Sequence, residues 1–181
     1  MTEAWVEDVH HFWFDHLRPD DRFSKNDEID TDIAERFGPL WSAMRDRRAI
    51  DFLDDAQTAL AAIILFDQFP RNMFRERSDA FATDEIAREI AAGAVKRGFD
   101  SELAEAERQF LYMPMMHSEA IADQRRSLEL FSGLGNENAL KFARSHFEVV
   151  ERFGRFPHRN EVLGRDSTAD EAAAIDAGAV W

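Results

Sequence analysis

Cysteine is absent from this sequence of 181 residues, and with it go disulfides, thiolate zinc sites, iron–sulfur clusters and cysteine nucleophiles. Positive charge is scarce as well, with 22 Lys and Arg against 36 Asp and Glu and a formal net charge of -14. Affinity for nucleic acid comes largely from neutralising phosphates, so no nucleic-acid partner is expected. Long hydrophobic runs are missing too. The longest, ALAAIIL with Phe66 just beyond it, falls far short of the about 20 residues a membrane-crossing helix requires, so no membrane partner is expected. The opening MTEAWVEDVHHFWF places acids before its apolar residues and has no basic start. That is unlike a secretory leader and makes a cytoplasmic location the expectation.

Several signatures of chemistry are also lacking. A di-iron bundle needs two Glu-x-x-His pairs, and only Glu7 with His10 has that spacing. His117 and Glu119 form a His-x-Glu pair, but a zinc deaminase also needs cysteine ligands. His-Glu-x-x-His and Gly-x-Ser-x-Gly do not occur, and SGLGNEN has no phosphate-binding lysine. A metal site of His117, His158 and a carboxylate has no paired ligand spacing behind it, so neither metal nor cofactor is expected.

What remains is a composition of 45% hydrophobic and 32% charged residues, the balance of a globular chain. Its apolar residues recur at three and four positions, and strand-like alternation is almost absent. Trp5, Val9, Phe12, Trp13 and His16 form one stripe; His11 and Asp15 share a face of that helix, as a surface pair. Asn26 or Asp27 is placed to cap a second helix, which Gly38-Pro39 should kink or break. Asp54 with Gln57 resembles a capping box for QTALAAIILFDQF, apolar on most sides and therefore central. Thr83 opens a fourth helix that Gly98 stops, Ser101 caps a fifth through Tyr112, and Ser118 a sixth from Glu119 to Ser132. GLGN turns the chain into a seventh, about 137 to 153, ended by Gly154, and Thr168 with Glu171 forms a capping box for a short last helix. The expected fold is all-α, a single domain over residues 1–181 of about seven or eight stacked antiparallel helices.

Three segments are more polar than helix packing asks for: FDQFPRN, YMPMMHSE and RFGRFPHRN. Each contains a proline, which disfavours helix before it and marks a point where side chains can converge. His117, Glu119, Asp123 and His158 are the candidate acid–base groups. Asp67, Gln68, Arg71, Asn72, Arg155, Arg159 and Asn160 are the candidate ligand-binding residues, with the arginines favouring a small anionic molecule. The competing reading makes each segment a helix stop whose arginines answer the negative end of the helix dipole. A further expectation is that the two Phe-Pro passages, around Pro70 and Pro157, lie together beside His117, because buried helix ends need donors for their free carbonyls.

LFDQFPRNMFR, AFATDEIA, FLYMPMMHSE, ADQRRSLELF and RFGRFPHRNEVLGRDSTADE together resemble the bacterial family known as domain of unknown function 924, over about residues 5 to 172. The resemblance implies a tetratricopeptide-repeat-like helical fold and no established reaction. In that pattern a glycine commonly follows the arginine at position 75 and an acid follows Glu119, where this chain has Glu76 and Ala120. The positions it marks include Ser118 and Gln124 beside the candidates above. Two functions fit: a small-molecule site, binding or catalytic, with His117 as acid or base oriented by Glu119 or Asp123, or a helical interaction module that holds a peptide without reaction. Convergence of the three segments on one pocket favours the first, and their spread along an open face the second.

Overall fold

A computed structural model describes residues 3–178, and among them every regular element is helical. In chain order the α-helices are α1 (Ala4–His10), α2 (Asp27–Met44), α3 (Ala56–Ile63), α4 (Phe69–Met73), α5 (Asp84–Arg97), α6 (Glu105–Met116), α7 (Ile121–Ser132), α8 (Glu137–Phe153) and α9 (Ala169–Asp176). A π-helical turn, Ile64–Gln68, joins α3 to α4 in one rod, and another, His11–His16, extends α1. Among the described residues no helix is long and apolar enough to cross a membrane.

The α3–α4 rod is the centre, as its composition implies: residues 59 to 70 are all buried. α1, α5 and α6 pack around α3, and α2 lies on α4. Leu60, Ile63, Ile64, Phe66 and Phe69 have no exposure at all, each contributing about 1.5–3 kcal/mol of burial. Rings lock the rod in register, with Phe37 stacked on Phe69 at 4.6 Å between centroids and Trp13 edge-on to Phe69 at 5.7 Å. α7 and α8 extend the stack from α6, and the buried face of α8 carries Ala139, Ala143, His146 and Val150 at helical spacing.

Asn26 caps α2, Gly98 and Gly154 end α5 and α8 at positive φ, and Thr168 with Glu171 boxes α9, as expected. Elsewhere the boundaries move. α2 runs unbroken through Pro39. Asp55, not Asp54, caps α3, because its carboxylate is the one that accepts from the Thr58 N–H, at 2.8 Å. Ser101 lies in a 3-10 turn, and α6 starts at Glu105, where Glu107 accepts from the Ala104 N–H. Ser118 receives the Ala120 N–H on its hydroxyl, so α7 starts two residues later than its serine promised.

The prolines also behave differently. Pro114 sits inside α6 and Pro70 inside the α3–α4 rod, where the expectation was a break. Pro70 has no N–H for the Phe66 carbonyl four residues earlier. Thr83 supplies a donor from another element: its hydroxyl donates to Phe66 O at 2.6 Å and accepts from Trp41 Nε1 at 3.1 Å. Thr83 therefore spends its side chain on the rod and makes no cap bond to α5. Just beyond the rod, Glu76 has φ 60, the one positive-φ residue other than glycine among those described. The resemblance leads to the expectation of glycine at this position, the residue that takes this conformation without strain.

Candidate functional site

Asp67 and Gln68 come from the π turn in the middle of the core. Asp67 is 0% exposed, so its charge has to be answered by neighbours. Gln68 Nε2 donates to Oδ2 at 2.6 Å, Arg71 Nη1 lies 3.3 Å from Oδ1, and His117 Nδ1 lies 2.8 Å from Oδ1. Burial alone pushes the carboxyl pKa up, but Arg71, His117 and Gln68 outweigh it and hold the carboxyl below its ordinary range. An ionised carboxylate only accepts, so the Nδ1 of His117 carries the proton and donates it to the bond. Burial pushes His117 down, with Asp67 opposing, and the net shift is downward. The neutral ring then has its lone pair on Nε2, which has no hydrogen-bond partner among the described residues.

A turn built for the purpose holds His117 in place at the end of α6. Gln124 Nε2 donates to the carbonyls of Met116 and Ser118, at 2.7 and 2.6 Å, on either side of the histidine. Arg159 Nη2 donates to His117 O at 3.1 Å.

The two Phe-Pro passages do meet beside His117, and Asp84 at the start of α5 joins them. Arg71 grips Asp84 with both terminal nitrogens at 2.8 and 3.0 Å, and Arg159 Nη1 reaches the same carboxylate at 3.3 Å. The Arg159 guanidinium lies between Phe81 and Phe156, at 4.5 and 4.6 Å from their centroids. Burial, then the nearby Arg71, lowers its pKa to about 10. Arg71 and Arg159 are thus neutralised by Asp67 and Asp84, and each is already committed to a carboxylate.

His117 lines two cavities. One, of about 270 Å³, is polar and bordered by Asp84, Glu85, Arg88, Glu119 and Arg159. The other, of about 620 Å³, is walled chiefly by Met113, Met116, Phe131, Ala139 and Phe142. His146 from α8 stands in this larger cavity with its ring 6.1 Å from that of His117. Its Nδ1 lies 2.8 Å from the Phe142 carbonyl and must donate, which leaves its Nε2 as another lone pair. Burial, assisted by His117, pushes its pKa down to about 3.

The remaining candidates go elsewhere. Asn72 donates to Asp30 at 2.8 Å, alongside Arg75, which also pairs with Asp30. Arg155 forms a two-pronged pair with Glu171 at 2.7 and 2.8 Å, and Asn160 donates to Ser167 at 3.0 Å and to Glu171 at 3.4 Å, so both tie α9 to the loop before it. Glu119 accepts from the Phe156 N–H and from both ends of Arg165, all at 2.8 or 2.9 Å. Asp123 accepts from Ser118 at 2.6 Å. His158 is exposed, with its ring 5.8 Å from Phe156, and lines neither cavity. The partner of the His117 ring is therefore Asp67 and not Glu119 or Asp123. Asp84, Phe81 and His146 escaped the sequence reading. His146 has a local signal, a histidine on the apolar stripe of α8, whereas Asp84 is one of two acids in the first turn of α5 and nothing local sets it apart.

Residues 9–179 match the family model described as bacterial protein of unknown function (DUF924). The chain belongs to that family. A solved structure, that of a protein of unknown function, ATU0120, from Agrobacterium tumefaciens, is 39% identical and superposes with a TM-score of 0.91. The likeness covers 97% of this chain and 98% of that one. No curated protein matches. Family membership accordingly accounts for the fold and assigns no reaction to the polar residues.

Proposed function

We propose that the protein binds a small organic molecule in the larger cavity and uses His117 as a general base toward it. The observation that carries this reading is the Asp67–His117 pair, in which Nδ1 is engaged and Nε2 is left with the lone pair, on a histidine that lines a cavity of about 620 Å³. A buried carboxylate on Nδ1 fixes the tautomer, orients the ring and stabilises the imidazolium formed when Nε2 takes a proton. A cavity of that size lies within the about 300–1,000 Å³ that surrounds a typical small ligand. Of the candidate polar residues only His117 lines this cavity, so the support for this function over a peptide-holding groove is the buried Asp67–His117 pair at a cavity and not a convergence of the three segments.

Two measurements test it. A thermal-shift screen against a metabolite library should yield compounds that stabilise the wild type and not His117→Gln, because a ligand of the native state stabilises by RT ln(1 + [L]/Kd). Imidazole nitrogen NMR at neutral pH should show His117 neutral with the proton on Nδ1. A His117 protonated on Nε2, or hits indifferent to His117→Gln, would overturn the reading.

A further inference from the structure

The larger cavity offers a ligand acceptors, apolar walls and almost no charge. Its buried polar residues are His117 and His146, each with Nδ1 committed as a donor, to Asp67 and to the Phe142 carbonyl respectively, which leaves the lone pair of each ring on Nε2; Gln109, Asn136 and Asn138 add amides nearer the surface. Both rings stay neutral, since burial lowers both pKa values. The arginines that drew attention in the sequence are absent from its lining, and Asp20 at the exposed edge is its one ordinarily charged residue. Two large rings, Phe23 at 61% and Phe142 at 49% exposure, flank the cavity. Phe23 is held in place by stacking on Phe110 at 5.7 Å.

We infer that the ligand of this cavity is an uncharged molecule with an apolar body, aromatic or alkyl, and a hydroxyl head that donates to His117 Nε2 with His146 beside it. This inference rests on the reading of His117 as a base. An anion entering here meets two lone pairs and no cationic side chain; the amides of Gln109, Asn136 and Asn138 at the outer lining carry no charge to answer it, and a carboxylate moved into apolar surroundings without a cationic partner is disfavoured. A hydroxyl meets the reverse situation: it fills an acceptor that is otherwise unsatisfied, and it is the group whose proton Nε2 is placed to take. Two thioethers and two phenyl rings, from Met113, Met116, Phe131 and Phe142, give the body of such a molecule a polarisable, adaptable wall.

The experiment compares probes that share a skeleton and differ at the head: naphthol and octanol, naphthoate and octanoate, naphthylmethylamine and octylamine. Binding to the full chain is followed by titration calorimetry and by the imidazole resonances of His117 and His146. The alcohols should bind at least about tenfold more tightly than the matched carboxylates, the order set by the cost of an unpaired buried charge. They should also move both sets of resonances and lose affinity in His117→Gln. Phe142→Glu, on an exposed ring, should weaken the alcohols without unfolding the protein. Carboxylates or amines that bind as well as the alcohols, still dependent on His117, overturn the ligand class and leave the acid–base reading standing. Alcohol binding that ignores His117→Gln, or no binding by any probe, overturns both. Binding untouched by Phe142→Glu and silent at His146 removes the ligand from this cavity.

Discussion

Replacing Asp67 with asparagine turns one buried oxygen into an NH2 group and leaves the shape of the side chain almost unchanged. Every group facing Asp67 is a donor: Gln68 Nε2 on Oδ2, Arg71 Nη1 and His117 Nδ1 on Oδ1. In either amide orientation an NH2 group meets one of them head-on, and the Arg71 guanidinium loses one of its two carboxylates. Breaking a buried ion pair by removing one partner costs about 3–5 kcal/mol. Arg71 keeps its two-pronged bond to Asp84, and Gln68 can turn its amide to accept, so the lower end applies. Asp67→Asn is expected to lose about 3 kcal/mol, a fall in melting temperature of about 6–12 °C for a chain of this size. Urea unfolding at pH 7 measures it, with the midpoint lowered and the slope unchanged. The same variant should lose the preference of His117 for a proton on Nδ1, visible in its nitrogen shifts. A loss below about 1 kcal/mol, with the His117 tautomer unaltered, would show that Asp67 neither neutralises Arg71 nor orients the imidazole.

Arg159→Ala should cost about 1–3 kcal/mol in urea unfolding, because the His117 carbonyl loses its donor; a fully stable variant would reduce Arg159 to a bystander. Thr83→Val should cost a similar about 1–3 kcal/mol, since the Phe66 carbonyl and Trp41 Nε1 lose their shared partner inside the core; near-neutrality would mean that another donor serves Phe66. Acid should weaken the fold through His146, whose pKa falls from 6.5 to about 3 on folding. The unfolded chain binds that proton as the pH drops below 6.5 and the folded one does not, so this contribution is constant above pH 6.5 and is lost as the pH falls toward about 3. In that window it declines by about 1.4 kcal/mol per pH unit, and His146→Gln should flatten the dependence of the urea midpoint by that amount. Glu76→Gly should raise stability by up to about 1 kcal/mol, because relief of the positive φ outweighs the entropy glycine loses on folding; a destabilised variant would mean that the Glu76 side chain makes a contact worth more than its strain.

Helical periodicity was enough to give the all-α class, the central place of ALAAIILF and the ends of α5 and α8, since these follow from local spacing and from glycine at positive φ. The polar segments also stood out, because Asp67, Arg71, His117 and Arg159 belong to residue types that rarely enter a core without partners. Which partner each one took was decided only in three dimensions. Arg155 and Arg159 look equivalent in RFGRFPHRN, yet Arg155 turns to Glu171 and Arg159 to Asp84, 75 positions away in the chain. Pro70 read as a helix stop because its local effect is to remove a donor, and the rod continues because Thr83, from another element, replaces that donor. The pairing of His117 with Asp67 spans 50 positions. The contact depends on where α6 ends against the π turn, and side-chain spacing within either segment carries no record of that distance. The same packing leaves the arginines occupied and the two histidines as bare acceptors, so the chemical sense of the cavity belongs to the tertiary structure alone.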